Sequence, residues 1–126
     1  MILGIDLGQK ATGLAISSGE IASPLTTITH KSPKEAIEKI TQVCKEECVD
    51  KIVLGFVEGK IKVYFDDFAK KFKEKNPQIE IVLVDETLTS RQAMQTMINI
   101  DMPKLKRRKK EHELAACLIL QSYLNN

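Results

Sequence analysis

The stretch Met1-Ile2-Leu3-Gly4-Ile5-Asp6-Leu7-Gly8 restricts this chain more than any other. A run this rich in Ile and Leu reads as a buried central strand. A carboxylate inside such a strand is costly to desolvate unless a cation or several donors compensate it. Gly4 and Gly8 flank Asp6 at two residues on either side, so the backbone there is bare and open to close approach. A divalent cation carrying a phosphate would satisfy both the charge and the space. The plainer reading is a carboxylate accepting hydrogen bonds in a strand-ending turn. The choice depends on whether a second acid joins Asp6.

With 126 residues, 43% apolar and 29% charged, the expectation is one ordinary globular domain over residues 1–126. No run approaches the ~20 apolar residues of a membrane span, and no charged-then-apolar secretory pattern precedes the first strand. The three cysteines, Cys44, Cys48 and Cys117, form no C-x-x-C pair. Cys44 and Cys48 lie four apart in a helical pattern, which favours small buried thiols over zinc ligands. A reduced, cytoplasmic protein without membrane partners is the expectation. The net charge of +2 says little, but Lys104-Leu105-Lys106-Arg107-Arg108-Lys109-Lys110 places six cations in seven residues. Such a block is either a solvated loop or, beside a metal site, a surface that tracks phosphates.

Gly8 to Ser17 predicts a short turn at Gln9 and Lys10 followed by a second strand. Ser18-Gly19 then turns the chain into a third strand at about Ile21 to Ile28, completing an antiparallel meander. Pro24 puts that strand at the sheet edge. Ser32-Pro33-Lys34-Glu35 is a helix start, and Ala36, Ile37, Ile40, Val43 and Cys44 form its inward face, to about Glu47. Lys51 to Phe56 is a short buried strand. Val63, Phe65, Phe68, Ala69 and Phe72 mark a second helix broken at Asn76-Pro77. Ile79 to Val84 is another buried strand, which delivers Asp85-Glu86 at its end. Thr89-Ser90-Arg91-Gln92 opens a helix stopped by Asp101 and Pro103. Leu114 to Leu120 is a final helix, apolar nearly all round and so packed on more than one side. This order predicts an α/β fold with a mixed sheet and helices on both faces.

In open α/β sheets, ligands gather at the carboxyl ends of parallel strands. If the strands of Asp6 and Glu86 are parallel neighbours, both acids meet at one sheet edge. Two close carboxylates repel, and Mg²⁺ or Mn²⁺ relieves the repulsion. Asp85 and Glu86 point to opposite faces. Spacing alone does not choose between them; Glu86 is favoured, and Asp85 suits loop or cap hydrogen bonding.

Gly4-Ile5-Asp6-Leu7-Gly8-Gln9-Lys10, Val84-Asp85-Glu86-Thr87-Leu88-Thr89-Ser90 and Leu114-Ala115-Ala116-x-Leu118-Ile119-Leu120-Gln121 together resemble the YqgF/RuvX family. Its members are RNase H-like pre-16S rRNA nucleases, earlier described as Holliday junction resolvases. The resemblance runs the length of the chain, and the Asp-Glu-x-Leu-Thr-Ser element is its most specific part. It implies an RNase H-like five-stranded sheet and a divalent-metal site. Asp6 is implied as the shared metal ligand and Glu86 as the second acid, with an aspartate just before the last helix's Leu-Ala-Ala as the third. Here His112 holds that third position. Histidine can bind Mn²⁺ or act as general acid or base, and suits Mg²⁺ less well. Glu113 is about 100° round the helix from His112, so both cannot aim equally well at one metal. Ala11 stands where the family usually has arginine, while Lys10 remains. The loop after Gly55 lacks the usual Leu-Pro segment.

The expected catalytic residues are therefore Asp6, Glu86 and His112, with Asp6 and Glu86 as metal ligands. Lys10, Lys106, Arg107, Arg108, Lys109 and Lys110 are the expected nucleic-acid contacts. The leading function is a Mg²⁺- or Mn²⁺-dependent nuclease acting on pre-16S rRNA, as a monomer or homodimer. An RNA-binding relative with weak or lost catalysis, and a resolvase of branched DNA, are the alternatives. Sugar-kinase and actin-like ATPases share the Gly-x-Asp-x-Gly pattern but need a second lobe.

Overall fold

The computed structural model describes residues 1–56, 62–86 and 111–126. Its strands are β1 (Ile2–Asp6), β2 (Ala11–Ser17), β3 (Ser23–Thr29), β4 (Lys51–Phe56) and β5 (Glu80–Asp85). Its described helices are α1 (Pro33–Glu46), α2 (Lys62–Lys75) and α3 (Glu111–Leu124). The strands form one sheet in the order β3-β2-β1-β4-β5. The meander β1-β2-β3 is antiparallel, whereas β1 pairs parallel with β4 and β4 parallel with β5. β3 lies at an edge, as Pro24 requires, and the β2–β3 register shifts between Leu14 and Ala15. The expected helix from Thr89 falls outside the described residues.

The two faces of the sheet carry side chains of very different size. One face presents Leu3, Ile5, Leu14, Ile52 and Leu54, which pack with Ala36, Ile37 and Ile40 of α1 and Phe65, Phe68 and Phe72 of α2. The other presents Gly4, Gly13, Ala15, Val53 and Gly55, and against it lies α3 with Ala116, Cys117, Ile119 and Leu120. Alternation along each strand places Asp6 on this small-residue face, two positions from Gly4. Glycine there is a matter of contact distance. A Cβ on Gly4 would lie 2.7 Å from Leu120 Cβ, and one on Gly13 would lie 1.9 Å from the His112 carbonyl oxygen. The helix thus rests almost on the backbone of β1 and β2, and its first turn crosses the sheet beside Asp6.

Local signals set the first helix. Ser32 accepts a hydrogen bond from the Glu35 amide, and the Glu35 carboxylate accepts one from the Lys31 amide. At the other end Cys48 has φ 55°, and the Val49 amide donates to the Cys44 carbonyl at 2.9 Å. That closes a Schellman-type end. It also corrects the expectation of two buried thiols. The helix stops at Glu46, so Cys48 is carried away from the apolar face and is exposed, while Cys44 is buried.

A methyl group at Gly13 would push α3 off the sheet. Gly13→Ala should cost about 1–3 kcal/mol, read as a lowered midpoint in thermal or urea unfolding. Gly19→Ala meets no such obstacle among the described residues, where nothing lies within 4 Å of its would-be Cβ, and should cost less despite φ 139°.

Candidate active site

β1 and β5 flank β4 and all three run in the same direction, so their carboxyl ends share one edge of the sheet. Asp6 ends β1, and Glu86 follows the last residue of β5. Gly55 of β4 lies between them. A Cβ on Gly55 would stand 2.9 Å from Glu86 Oε1 and 3.0 Å from its Cγ, so the missing side chain is the space the Glu86 carboxylate occupies. Glu86 thereby lies over the small-residue face and shares a hydrogen bond with Asp6. Asp85, the last residue of β5, adds its charge to the surroundings of Glu86.

Two carboxylates can share a hydrogen bond only if one keeps its proton. Burial, then the hydrogen bond and charge of Asp6, with Asp85 adding to them, push the Glu86 carboxyl up to about 7. His112, in the first turn of α3, brings Nδ1 to 3.7 Å from Asp6 Oδ2. The histidine is half exposed and Asp6 is partly covered, so the group opens to solvent on the His112 side. Glu113 points elsewhere: it is buried, and its Oε2 accepts from the Thr27 hydroxyl at 3.1 Å on β3. The 100° step between the two residues thus sends His112 to Asp6 and Glu113 to the far side of the sheet centre.

Lys10 is exposed on the β1–β2 turn. Lys106, Arg107, Arg108, Lys109 and Lys110 lie outside the described residues, as does the loop after β4. Sequence reasoning missed three neighbours of the Asp6 loop. Tyr64 of α2 donates from its hydroxyl to the Gly8 carbonyl at 3.4 Å, and Thr12 accepts from the Gly8 amide at 3.4 Å. His30 lies 2.7 Å behind Thr12. Lys62 is likewise unforeseen at the site end of β4, where its ammonium sits 5.4 Å from the centre of the Phe56 ring. Nothing local in the sequence marks these residues, since each acts across elements.

A family model for RuvX, described as Holliday junction resolvase, matches residues 1–126. The chain belongs to the RuvX family. A "Putative pre-16S rRNA nuclease" of Caldanaerobacter subterraneus subsp. tengcongensis is 39% identical, over 99% of this chain and 96% of the relative. One of the same name from Clostridium acetobutylicum is 36% identical, over 99% and 98%. Among solved structures, Thermus thermophilus RuvC in complex with a Holliday junction substrate superposes with a TM-score of 0.65 at 12% identity, covering 96% of this chain and 90% of that one. The fowlpox virus Holliday junction resolvase gives 0.60 at 17%, covering 98% and 97%. These likenesses give the RuvX chain an RNase H-like fold.

The donor set suits a hard divalent cation. Two carboxylates converge, Gly55 admits the Glu86 carboxylate over β4, and the pair carries excess negative charge unless it holds a proton or an ion. Among the described residues no three His, Cys, Asp or Glu side chains form a ready-made ligand cluster.

The raised Glu86 carboxyl has a stability consequence. The folded protein holds that proton more tightly than the unfolded chain does, so the metal-free protein loses stability as pH rises from the ordinary value of 4.5 through about 7. With solvent screening at a half-open site, the loss should be on the order of 1 kcal/mol. Melting curves in chelator between pH 5 and 8 should show it in wild type but not in Glu86→Gln. Mn²⁺ or Mg²⁺ at pH 8 should reverse it.

Proposed function

We propose that this chain is a divalent-cation-dependent nuclease that processes the precursor of 16S ribosomal RNA in the cytoplasm. Residues 1–126 would act as one nuclease domain, with Asp6 and Glu86 holding Mg²⁺ or Mn²⁺. The observation that carries this reading is the shared hydrogen bond between the two carboxylates, with His112 at 3.7 Å from Asp6. The names of the curated relatives support the choice of substrate.

A cation held by Asp6 and Glu86 would supply a polarised water and neutralise charge on the attacking and leaving oxygens of a phosphodiester. The chain's own residues divide the remaining work. Asp6 and Glu86 would hold that cation through their carboxylate oxygens once Glu86 has given up its proton. His112 turns Nδ1 towards Asp6, so Nε2 faces away from the carboxylate and can take or deliver a proton at a substrate oxygen. This gives histidine a use at the third position that an aspartate would fill differently: it moves a proton rather than adding a third negative charge. Lys10, with Lys106, Arg107, Arg108, Lys109 and Lys110, contributes cationic contacts to the phosphate backbone.

The test is cleavage of a 5′-extended 16S precursor fragment in Mn²⁺ or Mg²⁺. Asp6→Asn and Glu86→Gln should each lose more than the ~10–100-fold typical of changes outside the ligand set. His112→Ala should lose about 10²–10⁴-fold. Equal rates for Asp6→Asn and wild type would overturn the mechanism. A four-way DNA junction is the second substrate. Preferred, symmetric cutting of it by a dimer would replace the RNA reading with junction resolution.

A further inference from the structure

Two side chains from separate parts of the fold hold the backbone of Gly8, two residues beyond Asp6, and a third backs one of them. The Gly8 amide donates to Thr12 Oγ1, and the Gly8 carbonyl accepts from the Tyr64 hydroxyl, both at 3.4 Å. Behind Thr12, His30 Nε2 lies 2.7 Å from Oγ1. The His30 amide donates to the Lys10 carbonyl at 2.9 Å, so the same residue grips the turn a second time. A Cβ on Gly8 would stand 2.2 Å from the Ala11 carbonyl oxygen, which shows how tightly the chain folds back here.

The histidine is an expensive way to fill this space. His30 is 4% exposed and Thr12 is fully buried. The other ring nitrogen, Nδ1, is buried and has no hydrogen-bond partner among the described residues. Leaving such a group unmatched carries a desolvation cost that a leucine of similar size would not incur. What the imidazole offers in return is at Nε2. A threonine hydroxyl has one hydrogen and two lone pairs and rotates freely. Contact with Nε2 fixes that rotor, which keeps a lone pair aimed at the Gly8 amide. Burial lowers the pKa of the ring, with Glu35 opposing and Lys39 reinforcing, so a neutral imidazole suits the site.

We propose that His30 is a positioning residue for the cation site, acting through Thr12 on the Gly8 peptide and thereby on the backbone that carries Asp6. Tyr64 holds the carbonyl of the same residue, in the following peptide unit. The inference rests on the reading of Asp6 as a cation ligand. A ligand must sit within ~0.5 Å of its productive position, so a loosened loop weakens the site without removing any ligand.

Calorimetric titration of Mn²⁺ into folded protein tests this without relying on turnover. Thr12→Val keeps the volume and removes the hydroxyl; His30→Leu keeps the volume and removes Nε2. Each should weaken Mn²⁺ binding by about 10–100-fold. The double variant should lose little more than either single one, because both break one chain of contacts. His30→Gln, which keeps a polar atom near the Nε2 position, should recover most of the affinity. Wild-type affinity in Thr12→Val, with Asp6→Asn abolishing binding, would overturn the positioning role alone. Wild-type affinity in Asp6→Asn would instead overturn the cation-ligand reading on which it rests. If His30→Leu fails to fold, Thr12→Val decides the matter.

Discussion

The close seating of α3 on a floor of glycines governs the rest of this structure. Gly4, Gly13 and Gly55 come from three adjacent strands, and their missing side chains are replaced by Leu120 and the Ala116 carbonyl, by the His112 carbonyl, and by Ile119 with the Glu86 carboxylate. A helix resting on side chains of ordinary size would hold its first turn farther from the sheet. His112 would then no longer lie beside Asp6. The opposite face needs no such restraint: Leu3, Ile5, Leu14, Ile52 and Leu54 meet two helices and three phenylalanines there. The sheet thus has a packing face, which supplies apolar burial, and a working face, where small residues trade burial for proximity.

Proximity has an electrostatic cost that the site puts to use. Asp6 and Glu86 lie close enough to compete for one proton, and burial of Glu86 keeps that proton in place towards neutral pH. On the proposed reading, a divalent cation would displace that proton and satisfy both carboxylates. His112 changes the chemistry at the rim. It is half exposed, and beside Asp6 it supplies an imidazole where a third carboxylate would add to the repulsion. The neighbouring Glu113, turned under the helix onto Thr27, is structural.

Much of the fold is legible in the chain. Ser32, Pro33 and Glu35 fix the start of α1, Asn76-Pro77 the end of α2, and Pro24 the edge position of β3, because caps, prolines and turns act over a few residues. Cys48 shows where that reading fails, because helical spacing runs on past the residue that ends the helix. The last turn adopts a left-handed conformation at Cys48 itself, and the side chain leaves the apolar face. Thr12, His30 and Tyr64 are not legible as parts of the site. Their contacts with Gly8 and with one another join positions up to 56 apart in sequence, and no periodicity encodes a pairing of that kind.

By itself the sequence determined the elements and their order, since hydrophobic period is a local property of the chain, and its resemblance to the RuvX family singled out Asp6 and Glu86 as candidate acids. It also limited the third position to His112 or Glu113. Only the tertiary structure decided which of these faces Asp6, because the answer depends on the rotation of α3 against the sheet, and Gly13 sets that rotation by admitting the His112 backbone. It likewise decided that Glu86, and not Asp85, turns towards Asp6. Strand alternation offers both faces equally, and only packing over Gly55 distinguishes them.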